Sequence, residues 1–124
     1  MVRRVDSIQH APAPELPPAE RDRVYWDELR RMMLGTTRLR GRTLTAAGVL
    51  PLMRLGELDG DRRAIEGGLL VRAPGGTIGW EYADGVLTVA VRGYAPRLRP
   101  LLYAVQSRVH VALSRRYFRR ISGR

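Results

Sequence analysis

Three side chains have the type and setting for acid–base chemistry: Glu66, Glu81 and His110. Of the other acids in the middle of the chain, Glu57 among them, Asp59, Asp61 and Asp84 lie in or beside Asp-Gly turns, where they serve backbone geometry. Glu66 and Glu81 instead fall inside runs that read as strands. A carboxylate turned toward an apolar interior has a raised pKa and suits a general base; turned outward, it is an ion partner for Arg72 or Arg92. His110 titrates near neutral pH when unperturbed and can act as acid or base. A single histidine at the edge of an apolar helix face is also a hydrogen-bonded packing residue. The only other histidine is His10. With no cysteine and no HxxxH or HExxH spacing, no metal site is expected. Gly67-Gly68 and Gly75-Gly76 lack the strand-to-helix context and the Lys-Ser/Thr of a phosphate loop, so they read as turns or bulges and no cofactor is expected.

A second candidate chemistry is electrostatic. The chain of 124 residues has a net charge of +10 and contains 22 basic residues, all of them arginine. The absence of lysine and asparagine suggests a GC-rich coding bias. The charge is also uneven: residues 97–124 hold eight arginines and no acid, while residues 1–34 are balanced. Arg115, Arg116, Arg119, Arg120 and Arg124, interleaved with Tyr117 and Phe118, form an anion or nucleic-acid site if they are free. They also read as a seat on an anionic membrane surface, and more simply as a solvated helix end favoured by the helix dipole or as a contact in a homodimer.

The elements that must position these groups follow from periodicity. The chain length sets one domain with one modest core. Residues 1–17 are expected as a proline-rich arm, with the run His10-Ala-Pro-Ala-Pro-Glu-Leu-Pro-Pro18 leading out of it and Val2–Ile8 an edge-strand candidate, ahead of a single domain over 18–124. Residues 18–34 are expected to be helical: Pro18 suits the first turn, acids come early, Arg30 and Arg31 come late, and Gly35 stops it. Tyr25, Leu29, Met32 and Met33 share its apolar face. From Thr36 the period becomes two and turns recur at Asp59-Gly60, Pro74-Gly75-Gly76 and Asp84-Gly85, which predicts an antiparallel meander of four to six strands. Placing a hairpin centre at Pro74–Gly76 pairs residue 69 with residue 81. The last element, from about Pro100 to Ile121, is a long helix with Leu98, Leu102, Val105, Val109, Leu113 and Tyr117 on one side. Because arginines enter the seam near its end, residues up to Leu113 are expected to pack on the sheet, and residues 114–124 to project beyond it.

The predicted class is therefore α+β: a meander against a long C-terminal helix, with a shorter N-terminal helix. The order helix, meander, then a long helix entered through Gly93-Tyr-Ala-Pro96 resembles the helix-grip arrangement of the START-like superfamily, which includes polyketide cyclase-like proteins. The resemblance covers residues 67–121 and is one of pattern. It implies an apolar cavity between sheet and long helix, reduced here by the short chain or completed by a second subunit. Its wall is expected from Trp80, Tyr82 and Tyr94, from Leu102, Val105 and Val109, and from the Tyr25–Met33 face, with Glu66, Glu81, Tyr103 and His110 steering a ligand. The expected partner is a hydrophobic small molecule, bound or transformed by cyclase- or isomerase-type chemistry. The alternative is a nucleic-acid-binding or assembly protein acting through the terminal arginines. No apolar run spans a bilayer and no secretory h-region is present at the start, so a cytoplasmic location is expected.

Overall fold

The structure, a computed structural model, describes residues 3–97 and 100–123. Its elements in chain order are β1 (Val5–Pro12), α1 (Pro18–Met32), β2 (Thr37–Arg40), β3 (Thr43–Ala46), β4 (Leu50–Leu55), β5 (Arg62–Gly67), β6 (Thr77–Ala83), β7 (Val86–Tyr94) and α2 (Pro100–Ile121). The seven strands form one antiparallel sheet in the order β1-β7-β6-β5-β4-β3-β2. The two helices pack on one of its faces, so the α+β class and the long C-terminal helix are as expected.

The strand count is higher than the expected four to six, for two reasons. The run Arg38–Thr45 is two strands, because Gly41, at φ 62°, turns the chain between β2 and β3. Of the segment expected as an arm, Val5–Pro12 pairs with β7 along its whole length. Prolines do not prevent this, since β1 is an edge strand and Pro12 is its last residue. The other edge, β2, is only four residues long and exposes Arg38 and Arg40, features that discourage edge-to-edge pairing.

The register after β5 also differs from expectation. Arg62 pairs with Gly79 and Ala64 with Thr77, so residues 68–76 loop out and residue 69 does not face 81. Gly68 explains this: at φ 118° it turns the chain away, and a Cβ there would lie 2.5 Å from the Leu52 carbonyl oxygen. Leu69 and Leu70 then donate to the Pro51 and Leu52 carbonyls instead. Asp84-Gly85 forms the expected tight turn, with both residues at positive φ as a type I′ hairpin requires.

An aromatic cluster sits at the centre of the core. Tyr25 contacts Trp26, Trp80 and Tyr117 at centroid distances of 5.0, 5.3 and 5.2 Å. Beside it, Arg63 makes a bidentate bridge to Asp22, both bonds 2.8 Å, with Trp26 Nε1 donating to the same carboxylate. This largely buried triad fixes α1 on β5.

Helix α2 is oriented differently from the expected stripe. Tyr117 and Ser114 are fully buried and Leu113 nearly so, whereas Val105 is 54% exposed. The C-terminal half is therefore the part packed in the core, and residues 114–121 do not project. The arginines that enter the seam are matched there: Arg116 binds Glu28 at 2.9 Å and Arg120 binds Asp27 at 2.7 Å, both carboxylates on α1. Tyr117 OH donates to the Arg21 carbonyl between them.

Candidate functional site

Rotating α2 away from the expected stripe has a chemical consequence. Its inward face carries Gln106, Ser107, His110 and Ser114 among Tyr103, Leu113 and Tyr117. These polar groups stand over the concave sheet face rather than in solvent. Opposite them, β1 turns Ser7 and Gln9 inward while Ile8 points out. Ser114 Oγ donates to Gln9 Oε1 at 3.0 Å, and Gln9 Nε2 donates to Ser7 Oγ at 3.0 Å, which ties α2 to the edge strand.

Between this face of α2, the sheet and the inner face of α1 lies a cavity of about 210 Å³. For scale, a cavity of about 150 Å³ admits a benzene-sized ring. Leu44, Met53, Ile65, Ile78 and Leu113 supply apolar surface, and α1 contributes Tyr25, Trp26, Leu29 and Met33. None of the described residues that line it carries a formal charge. Met33, Leu52, Tyr103 and Val109 are among its half-buried lining residues.

The polar atoms at the wall are ordered by burial. Burial raises the Tyr25 hydroxyl far above the usual phenol range, with the neighbouring Tyr117 adding to the effect, so it keeps its proton. Its hydrogen-bond partner among the described residues is His110 Nδ1, at 3.2 Å. Burial pushes the His110 imidazole down from 6.5 to about 4, so the ring is neutral at pH 7. A buried hydroxyl proton needs an acceptor, which assigns Tyr25 as donor, Nδ1 as acceptor and the ring proton to Nε2. Tyr94 OH donates to the Leu70 carbonyl at 2.6 Å and therefore accepts from Gln106 Nε2 at 2.9 Å, which fixes the Gln106 amide. Two wall residues are left with a buried polar atom that has no partner among the described residues: Gln106 Oε1 and His110 Nε2. Each such atom costs on the order of 1–3 kcal/mol.

Of the residues expected at a pocket, Tyr25, Met33, Tyr94, Tyr103, Val109 and His110 line this cavity. Trp80 is fully buried behind it in the aromatic cluster. Tyr82 donates to the Ala13 carbonyl away from it, and Val105 faces solvent. The side chain of Leu102 lies outside the described residues. Glu66 and Glu81 do not reach the cavity. Glu66 is exposed and 3.9 Å from Arg42; Glu81 sits on the outer sheet face, hydrogen-bonded by Arg92. The alternation of β6 is the cause: Ile78 and Trp80 point in, so Glu81 points out. Of the expected anion-binding arginines, Arg116 and Arg120 are engaged by α1, Arg115 and Arg119 are exposed, and Arg124 lies outside the described residues.

Gln106, Ser107 and Ser7 escaped the sequence reading, because each sits beside rather than on the apolar positions used to orient its element. Among the described residues, no three His, Asp or Glu side chains are grouped as metal ligands, and no helix is long and apolar enough to cross a membrane. Comparison with known protein families, curated proteins and solved structures found no match to this chain.

Proposed function

We propose that the protein binds an uncharged, mainly apolar small molecule in the cavity between the sheet and the two helices. The observation that carries this reading is a cavity of about 210 Å³ whose described lining has no formal charge. Empty apolar space of this size forfeits packing contacts that an apolar guest restores. A cavity between the sheet and the long C-terminal helix is what the resemblance to the START-like helix-grip arrangement implies. Of the three groups expected to do acid–base chemistry, only His110 is at the wall, which favours binding over cyclase or isomerase chemistry. The arginine-based alternative is weakened by the engagement of Arg116 and Arg120 with α1.

The test is a titration with ethylbenzene followed by methyl NMR. Resonances of Leu44, Ile65 and Leu113 should shift together and saturate, while those of exposed Leu34 and Val49 stay still. Val109→Trp, which puts an indole at a half-buried position of the lining, should abolish the response. Uniform or absent shifts in the wild-type protein would overturn the reading.

A further inference from the structure

The cavity wall contains a second kind of information beyond its apolarity. Gln106 and His110 are four residues apart on α2, so their side chains lie one above the other on the same face. Each is held by a hydrogen bond to a tyrosine: Gln106 through its amide nitrogen to Tyr94, His110 through Nδ1 to Tyr25. Those bonds set opposite characters on the free ends. Gln106 Oε1 is an acceptor, His110 Nε2 is a donor, and neither has a partner among the described residues. Trp80 Nε1 is likewise buried with no partner among the described residues, but Trp80 is not among the described residues that line the cavity, so it is not a contact for a guest there.

We propose that Gln106 Oε1 and His110 Nε2 form a hydroxyl-recognition pair, and that the ligand is a neutral single-ring or short aliphatic alcohol or phenol. The proposal rests on the reading of the cavity as an apolar ligand site. A hydroxyl is the smallest group that accepts one hydrogen bond and donates another, so it completes both free ends at once. A carboxylate offers Gln106 no proton and meets no cation among the described wall residues; an ammonium offers His110 no lone pair. The rest of the ligand is apolar because the remaining wall is, and its size is set by a volume somewhat larger than a single benzene ring requires.

The experiment compares ethylbenzene, 4-ethylphenol and 4-ethylbenzoate by calorimetry on the full chain at pH 7. In the wild-type protein, 4-ethylphenol should bind about tenfold more tightly than ethylbenzene, equivalent to about 1.4 kcal/mol, and 4-ethylbenzoate should not bind detectably. Gln106→Leu and His110→Phe should each remove the phenol's advantage, read within each variant as the ratio of its 4-ethylphenol and ethylbenzene affinities. If ethylbenzene binds and 4-ethylphenol binds no more tightly, the hydroxyl pair is overturned and the apolar site stands. If neither binds, both fail. Tight binding of 4-ethylbenzoate overturns the assignment of a neutral ligand. Should one variant fail to fold by circular dichroism, the wild-type comparison and the other variant still decide the matter.

Discussion

His110 is the residue at which burial, hydrogen bonding and pH meet. Its imidazole is neutral in the folded protein down to about pH 4, while in the unfolded chain it takes up a proton near 6.5. Between these values the unfolded state binds more protons, so this contribution to stability is complete above pH 6.5 and is lost as pH falls toward 4. The full loss is on the order of 3 kcal/mol. Urea unfolding at pH 7.0 and 4.5 should therefore show a marked drop in the wild type and a much smaller one in His110→Phe; equal drops would remove His110 as the cause. Asp27 behaves in a lower window. Hydrogen bonds from Arg30 and then Arg120 hold its carboxyl at about 2, below the ordinary 3.8, so its contribution is present above 3.8 and lost as pH falls toward 2. The two effects separate on the pH axis. His110 was recognisable in the sequence as a titratable group on α2. The engagement of Nδ1 by Tyr25, 85 residues away, was not, because no local pattern reports a contact of that range.

The elements differ in how firmly they are tied to the sheet. The bridge between Asp22 and Arg63 has side chains only 10% and 12% exposed, and it also accepts from Trp26. Removing one partner leaves a buried charge without its counterpart, which typically costs about 3–5 kcal/mol. The bridge from Arg120 to Asp27 is more open, at 28% and 25%, and solvent screening limits such a pair to about 1 kcal/mol. Asp22→Ala should consequently lower the urea midpoint several times more than Arg120→Ala, with the slope of the transition unchanged. Comparable shifts would mean that α1 is held by its outer ion pairs, not by this triad. The helices themselves were legible from the sequence, α1 almost to the residue, through Pro18, the early acids and the late arginines. The rotation of α2 was not. Its apolar stripe included Val105, which faces solvent, and treated Arg116 and Arg120 as a break in the seam. Both arginines belong in that seam because α1 places Glu28 and Asp27 against them, and a single-helix projection has no access to the partner helix.

For the whole molecule, the decisive element is the one the sequence showed least clearly. β1 was hard to see because its inward face mixes Ser7 and Gln9 with Val5 and Ala11 while Ile8 faces out, which blurs the apolar-in alternation that marks a strand. The inward polar pair has a physical reason: β1 is the edge strand beside the polar face of α2, where Gln9 accepts from Ser114 and Ser7 reaches the cavity. The meander beyond it was legible from its turns, since Asp84-Gly85 and the apolar run of β7 obey local rules. β7 is the most apolar strand, and β1 is what covers its outer edge. Deleting residues 1–13 would expose the unpaired backbone of Val86–Tyr94, a long edge with few charges, and such an edge recruits other chains. It would also free Ser114, which is fully buried, from its only described partner. The truncated chain should therefore associate concentration-dependently in size-exclusion chromatography and lose its cooperative thermal transition, and its methyl resonances should no longer respond to ethylbenzene. A truncated protein that stays monodisperse, melts cooperatively and still binds would show that β1 is dispensable for closing the cavity, and would return residues 1–17 to the status of an arm.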